Sequence, residues 1–446
     1  LPLFNTFVGK DIVLIFSWGT LLFVLFGILG VGCLAGAFPA FYMSSVNPLL
    51  AFKGGKATGK KRALIKGLVC VQFVIAITMI IGTMIIFRQL HYLQNADVGV
   101  NTDNLVVVDV DDWREESISY KQEVLKNPYV ESIAVGVDLS DFLQGYRWET
   151  SKFSWQDEAG KIDSLEMVGL VGDKDFFHTL GLELLKGEVL EADPDKFWSG
   201  AYNMTPIVIN ETAWKMLNVE NPVGMILNGG SNFTGRGTSR VVGIVKDFNY
   251  QPLREKIRPV FMYYTNQLLD KMYIKISSEK QAETLMFLKE KYEEMRPNHL
   301  FVPQYFKNVL KNNYAREQQL GQMFLIFTIL AIIIAMMGVF GLVALSTAQR
   351  TKEIGIRKVN GAHSNRIVRM FCLEYMRWVG LAFAIACPVG YLFMDHWLSN
   401  FAYRVAIGWW LFPLVGLIIL SITILTVIVQ TWRAASRNPV TSLRYE

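Results

Sequence analysis

The sequence predicts an α-helical membrane protein with five transmembrane helices and one inserted α+β domain on the extracytoplasmic side. Three observations carry this. Five apolar runs, at roughly 12–37, 64–88, 321–347, 370–394 and 407–431, are each long enough to cross ~30 Å of hydrocarbon, which takes about 20 helical residues. The composition, 52% hydrophobic and only 19% charged over 446 residues, is too apolar for an ordinary soluble chain yet leaves room for a sizeable aqueous domain. The charges are also segregated. Residues 89–320 hold 34 acidic and 25 basic side chains, a balance of −9, whereas the remainder holds 5 and 19, a balance of +14.

That segregation sets an expected topology. The positive charge gathers in three short places, Lys53 to Lys66, Arg350 to Arg369 and Arg433 to Arg444. Short Lys/Arg-rich loops stay cytoplasmic, whereas a long domain is translocated largely regardless of its charge. Alternating five spans puts all three basic places on one side and residues 89–320 on the other.

Taken in order, residues 1–11 form a short outer segment before the first span. That span is glycine-rich, and Gly32 and Gly36 make a small-xxx-small pair that lets another helix approach closely. The chain opens on Leu1 without a charged leader, and the reading expects an upstream portion. After the first span comes FPAFYMSSVNPLLAFKGG, and after the last comes VQTWRAASRNPVTSLRYE. An offset of 391 lays Asn47-Pro48 on Asn438-Pro439, Ser45 on Ser436 and Lys53 on Arg444. Identical placement after a span favours an internal repeat, with 12–37 matching 407–431 as the last helix of a repeat.

GGKATGKKR, Gly54 to Arg62, matches part of a phosphate-binding loop, but Lys61 stands where Ser or Thr is required and no buried strand precedes it. A basic cytoplasmic linker explains it better, so any ATP hydrolysis belongs to a partner. The four cysteines, Cys33, Cys70, Cys372 and Cys387, lie within or at the ends of spans without metal-ligand spacing. The aqueous domain has none, and its own core must hold it.

Beyond the second span the pattern turns to β-rich runs at Asn104–Val110, Ile207–Asn210, Ser239–Phe248 and Lys271–Ser277. Helical pieces at Ser117–Lys126, Asp173–Leu180, Ala213–Leu217 and Lys280–Met295 alternate with them, which reads as α+β. His91, His178 and His299 are far apart, and no zinc or nucleophile-elbow motif occurs. The acidic run Asp109, Asp111, Asp112, Glu115 and Glu116 reads as a solvated turn leading into a helix, and Asn203, Asn210 and Asn232 begin glycosylation sequons, which matter only in a eukaryotic secretory cell. The expectation is therefore no enzyme, with no catalytic residues, cofactor or metal. At the domain's edges, Phe87–Gln94 prolongs the second span outward and Tyr305–Gln319 leads into the third. Phe306, Val309, Leu310 and Tyr314 stand at helical spacing there, so a stiff stalk of continuous helix is expected.

Between the third and fourth spans lies TKEIGIRKVNGA, Thr351 to Ala362. Ile354, Ile356 and Val359 are expected to share one side of a short surface helix, with Gly361 as its stop. Glu374 and Arg377, three apart near the start of the fourth span, are expected to pair, and Pro388 to bend that helix.

This segment resembles the signature between two membrane helices in permeases of the FtsX/MacB-type ABC transporter family. The runs 171–190, 209–225 and 241–261 are similar to the periplasmic core domain of MacB-like proteins. The resemblance implies a division into 1–63 (last helix of a first permease repeat and a basic linker), 64–88 (a span), 89–320 (an extracytoplasmic MacB-like domain with stalk helices) and 321–446 (an FtsX-like permease domain with coupling helix 351–362 and a cytoplasmic tail). The chain would then be the C-terminal half of a two-repeat permease in a bacterial inner (plasma) membrane.

The resemblance further implies that Lys352, Glu353, Ile354, Gly355, Ile356, Arg357 and Lys358 form the coupling segment onto which a cytoplasmic ATPase dimer docks. Ile354 would be the apolar anchor, Glu353 would meet a base of the ATPase, and Arg357 and Lys358 acidic groups or lipid phosphates. A dimer of permease subunits or repeats, contact with membrane lipid, and a periplasmic adaptor or outer-membrane partner are implied, and no nucleic acid. The function implied is coupling of ATP hydrolysis to movement of the outer domain, for export or extrusion of a peptide, lipoprotein or drug by mechanotransmission. The alternative is a non-transporting, FtsX-like activator of a cell-wall hydrolase. A membrane enzyme lacks a catalytic constellation, and a plain receptor would not carry the coupling segment.

Overall fold

A computed structural model describes residues 17–44, 59–110, 114–139, 150–156, 160–189, 204–230, 237–264, 271–297, 299–361 and 363–435. The helices are α1 Trp18–Ser44, α2 Gly59–Asn95, α3 Arg114–Val124, α4 Phe176–Leu180, α5 Glu211–Leu217, α6 Gln281–Met295, α7 Phe306–Asn312, α8 Ala315–Gln349, α9 Thr351–Val359, α10 Ser364–Leu398 and α11 Leu411–Ala435. The strands are β1 Leu105–Asp109, β2 Val130–Gly136, β3 Thr150–Gln156, β4 Ile162–Gly172, β5 Leu184–Gly187, β6 Thr205–Asn210, β7 Ile226–Gly229, β8 Thr238–Val245, β9 Val260–Tyr264, β10 Lys271–Ile276 and β11 Gln304–Tyr305. The chain divides into two units. One is Leu1–Arg88 with Glu317–Trp397 and Ala406–Glu446, and the other is Gln89–Arg316 with Leu398–Val405.

The first unit is helical. Among the described residues four stretches are long and apolar enough to cross a membrane: Lys66–Asn95, Ala315–Gln349, Asn365–Leu398 and Leu411–Trp432. The chain is accordingly a multi-pass membrane protein. The fifth expected span is α1, a helix of 27 residues, but only Trp18–Gly30 counts as its described apolar stretch, so five spans is more than the described residues establish. Both Asn-Pro copies lie outside the described residues. Gly59 to Arg62, the back half of the phosphate-loop look-alike, opens α2 as helix.

Within this unit α2 is the enclosed helix: 61% of its most apolar stretch is buried, against 17%, 28% and 22% for the other three. Small residues bring the neighbours in. A Cβ on Gly338 of α8 would stand 2.4 Å from Gln72 Oε1, and one on Gly390 of α10 would stand 3.1 Å from Ile81 Cδ1. Thr83 and Thr328 share a 2.7 Å hydrogen bond between α2 and α8. Small side chains and interhelical hydroxyl bonds are the means of association available where lipid is as apolar as leucine. Pro388 sits inside α10, which continues past it to Leu398.

The second unit is α+β, built on one sheet in the order β11-β1-β10-β2-β4-β3-β7-β8-β6-β9. A parallel β4–β9 pairing closes six of these strands into a ring, and β5 adds to β8. The open end, β11-β1-β10-β2, is covered on both faces, which explains why LVVVD reads as an unbroken apolar run. Val106 and Val108 face Tyr120 and Val124 of α3 and Leu288 and Tyr292 of α6. Leu105 and Val107 face the other way, toward Phe176 and Leu180 of α4 and Phe306 of α7. In the ring, Ile207, Ile209, Phe261 and Tyr263 turn to one cluster and Val208, Val260 and Met262 to the other, again by alternation.

The two parts of the sheet meet at a single pair, Gly136 opposite Gly172. A Cβ on either would stand 2.3 or 2.5 Å from ring atoms of Phe176, so the missing side chains are what admit the ring. The loop Leu398–Val405 belongs to this unit too. Ala402 N donates to Arg254 O at 2.9 Å and Tyr403 N to Leu253 O at 3.3 Å. Gln89 donates to Tyr403 O and accepts from Val405 N, both at 2.9 Å, and Phe401 is buried beneath the Arg254 guanidinium at 5.0 Å.

Two expectations about this unit are corrected. The predicted stalk 305–319 is broken, because α7 ends at Asn312 and α8 starts at Ala315. The apolar stripe is the cause: Phe306 is drawn into the sheet core against Tyr273 at 5.9 Å, and the Tyr314 hydroxyl accepts from Leu253 N at 3.1 Å. The Asn210 sequon is closed, since that side chain is buried and caps α5. Asp111, Asp112, Asn203 and Asn232 lie outside the described residues.

Candidate functional site

The coupling segment forms the helix α9, joined to α8 by the single residue Arg350. Arg350 N donates to Ser346 O at 3.1 Å and Ile354 N to Arg350 O at 2.9 Å, so the hydrogen-bond ladder runs almost unbroken through the joint. The helix stops two residues before Gly361, whose φ of +83° suits glycine after a helix end. Asn360 N closes the last turn onto Ile356 O at 3.0 Å.

The side chains sort by helical geometry. Ile354 is 8% exposed and Gly355 is buried, whereas Ile356 is 50% exposed. Residues two apart in an α-helix differ by about 200° around the axis, so Ile354 and Ile356 stand on opposite sides and do not share the face expected of them. Ile354 is thus committed to the chain's own packing, and the apolar side chain offered outward is Ile356. Glu353 and Arg357 pair within the helix at 2.6 Å across one turn, each nearly half exposed. Arg357 also reaches Met370 Sδ at 2.7 Å with its Nη1. Lys352 and Lys358 belong to α9, and nothing further is described of their side chains.

Behind the helix lies a cluster that sequence reasoning located but wired differently. Glu374 on α10 does not turn to Arg377, which is exposed. Its Oε1 accepts from Lys66 Nζ of α2 at 2.7 Å and its Oε2 from Arg350 Nη1 at 3.1 Å. Lys66 also lies 5.8 Å from the Trp378 ring and Arg350 5.7 Å from the Phe371 ring. Tyr375 donates to Ser346 Oγ at 3.1 Å. A carboxylate largely removed from water holds its charge when opposite charges and hydrogen bonds occupy its lone pairs. Two cations from outside α10, one on α2 and one at the α8–α9 joint, do this better than an exposed neighbour on the same helix. The signal for Lys66 and Arg350 was their place in the basic clusters, but charge counts cannot pair residues 308 positions apart.

Taken together, the site offers an exposed amphipathic face on a short helix and an ion-paired root. Among the described residues no group of three or more His, Cys, Asp or Glu is placed to hold a metal.

Comparison with known proteins follows this geometry. None of the curated proteins matches the chain. Among solved structures, the periplasmic region of MacB from Actinobacillus actinomycetemcomitans is similar at 14% identity, covering 50% of this chain and 97% of that one with a TM-score of 0.33. The extracellular domain of the noncanonic ABC-type transporter YknZ from Gram-positive bacteria is similar at 14% identity, with 45% and 98% covered and a TM-score of 0.29. A domain of a permease protein from Porphyromonas gingivalis is similar at 15% identity, with 45% and 85% covered and a TM-score of 0.29. The family model of the FtsX-like permease C-terminal domain matches residues 325–439. Those residues, which run from within α8 through α9 and α10 past the end of α11, are the part of this chain that is similar to the FtsX-like permease C-terminal domain.

Proposed function

We propose that the chain is the permease subunit of an ABC transporter, and that α9 receives a separate cytoplasmic ATPase. The observation that carries this reading is the form of α9 inside the matched region. It has one buried isoleucine that roots it, and an outward face of Ile356, Glu353 and Arg357. An exposed apolar side chain rimmed by a charge pair is a suitable anchor for a groove in a partner, since buried apolar contacts supply affinity and rim charges supply orientation. Lys352, Gly355 and Lys358 complete the segment. α1 is a fifth span, the basic segments face the cytoplasm of a bacterial cell, and residues 89–320 lie outside. ATP-driven movement of the membrane helices is then passed to the outer domain for export of a peptide, lipoprotein or drug-like molecule.

The test is the purified chain in nanodiscs with a candidate cytoplasmic ABC ATPase. Ile356→Asp should abolish co-purification and the permease-dependent rise in ATPase rate, and Ile356→Leu should retain both. Wild-type binding and rate in Ile356→Asp would sink the assignment of α9. In parallel, single cysteines at Ile162 and Asn360, in a background without the four native cysteines, should label from opposite sides with an impermeant maleimide. Labelling of both from outside would overturn the topology.

A further inference from the structure

We propose that Glu374 is the positioning residue of the coupling helix: it pins the α8–α9 joint to α2 and α10, so that α9 moves only when those helices move. This rests on the reading of α9 as the ATPase contact. Three observations meet at this point. Arg350 is the only residue between α8 and α9, so restraint of its guanidinium acts at the joint itself, in addition to the buried Ile354 that roots α9. That guanidinium is held by Glu374 Oε2, while Oε1 of the same carboxylate holds Lys66, and one group therefore ties α2, α10 and the joint together. The second strap runs from Tyr375, the residue next to Glu374 on α10, to Ser346, one turn before Arg350 on α8, and restricts rotation of the joint about the ion pair.

Even with the backbone ladder continued through Arg350, bending at the joint would dissipate a push from the partner of α9. The bidentate carboxylate removes that freedom, because rotating α9 about Arg350 breaks a charge-assisted hydrogen bond in a poorly hydrated place, where an unpaired charge is costly. The role predicts a separation that a purely structural residue would not give. Removing the charge should leave the outward face of α9 able to bind, yet uncouple binding from movement.

The experiment uses the full chain in nanodiscs with a nitroxide on cysteine introduced at the exposed Asn360, in the cysteine-free background. Glu374→Gln keeps the shape and removes the charge, and Lys66→Arg keeps the pairing. We expect the Glu374→Gln label to become clearly more mobile than wild type, with ATPase stimulation falling at least tenfold while co-purification of the ATPase stays within twofold. Arg350→Gln should behave the same way, and Lys66→Arg should resemble wild type in all three readouts. Wild-type mobility and stimulation in Glu374→Gln, or equal loss of binding and stimulation with unchanged mobility, would overturn the proposal. The mobility comparison needs no ATPase, so it decides the clamp even if the chain recruits none, which would instead count against the transporter reading.

Discussion

Asn210 and Asp247 are joined by a 2.9 Å hydrogen bond from the Asn210 amide to Asp247 Oδ1, and that bond is one of four that exhaust the asparagine. Its Nδ2 also donates to Arg258 O at 3.1 Å, and its Oδ1 accepts from Ala213 N at 3.0 Å and Val260 N at 2.9 Å. Asp247 in turn accepts from Thr212 N and Oγ1 at 2.9 and 2.7 Å. One buried side chain thus caps α5 and links the ends of β6 and β9. Asn210→Ala leaves buried donors and acceptors without partners, which costs about 1–3 kcal/mol for each group left unmade. The purified protein should show its sheet unit unfolding at markedly lower temperature by near-UV circular dichroism, with faster amide exchange in β9. A wild-type transition would show that water replaces the amide.

The glycine pair under Phe176 gives a second expectation. With Cβ sites 2.5 Å from Phe176 Cγ at Gly172 and 2.3 Å from Cε2 at Gly136, alanine at either position must displace the ring or part the strands. Overpacking of this kind costs about 1–3 kcal/mol. Gly172→Ala should destabilise the protein, and Gly172→Ala with Phe176→Leu should recover part of the loss. Additive losses in the double variant would show that the strain does not run through the ring.

A pH dependence follows from Asp173. Burial pushes its carboxyl above the ordinary range, and Lys121, 2.6 Å away, pulls it back without cancelling the rise. An acid whose folded pKa lies above the unfolded value, about 3.9 for aspartate, binds its proton more tightly when folded. Its contribution to stability is therefore present at low pH and lost as pH rises through the folded value. Asp173→Asn should flatten the fall in unfolding temperature as pH rises above about 4, whereas Lys121→Met should steepen it by leaving Asp173 and Asp175 without their shared cation. Parallel curves for Asp173→Asn and wild type would refute the assignment.

Much of the architecture was legible because its signals are local. Spans announce themselves by length, and the runs at 104–110, 207–210, 239–248 and 271–277 each hold a strand, as the four helical pieces between them each hold a helix. Some of the strands that escaped are diluted ones. Thr150–Gln156 turns Ser151, Phe153 and Trp155 inward but shows Lys152 and Ser154 outward, and Ile226–Gly229 ends in Asn and Gly. The candidate helix was visible as a motif, while its orientation was not, because an apolar pattern over nine residues allows either isoleucine to face in. The partners of Glu374 were invisible for a different reason. They come from α2 and from the α8–α9 joint, and only tertiary packing makes them neighbours.

The loop Leu398–Val405 has a consequence for how the molecule is made. The acceptors it uses, Arg254 O and Leu253 O, and the Gln89 side chain emerge from the ribosome well over a hundred residues before it. Until Val405 is synthesised, the bonds from the loop to those groups cannot form, and Phe401 is not yet in the place where it is buried. The sheet unit of a growing chain is thus complete in its strands yet still unlatched, and its last fastening waits on the membrane machinery rather than on its own folding.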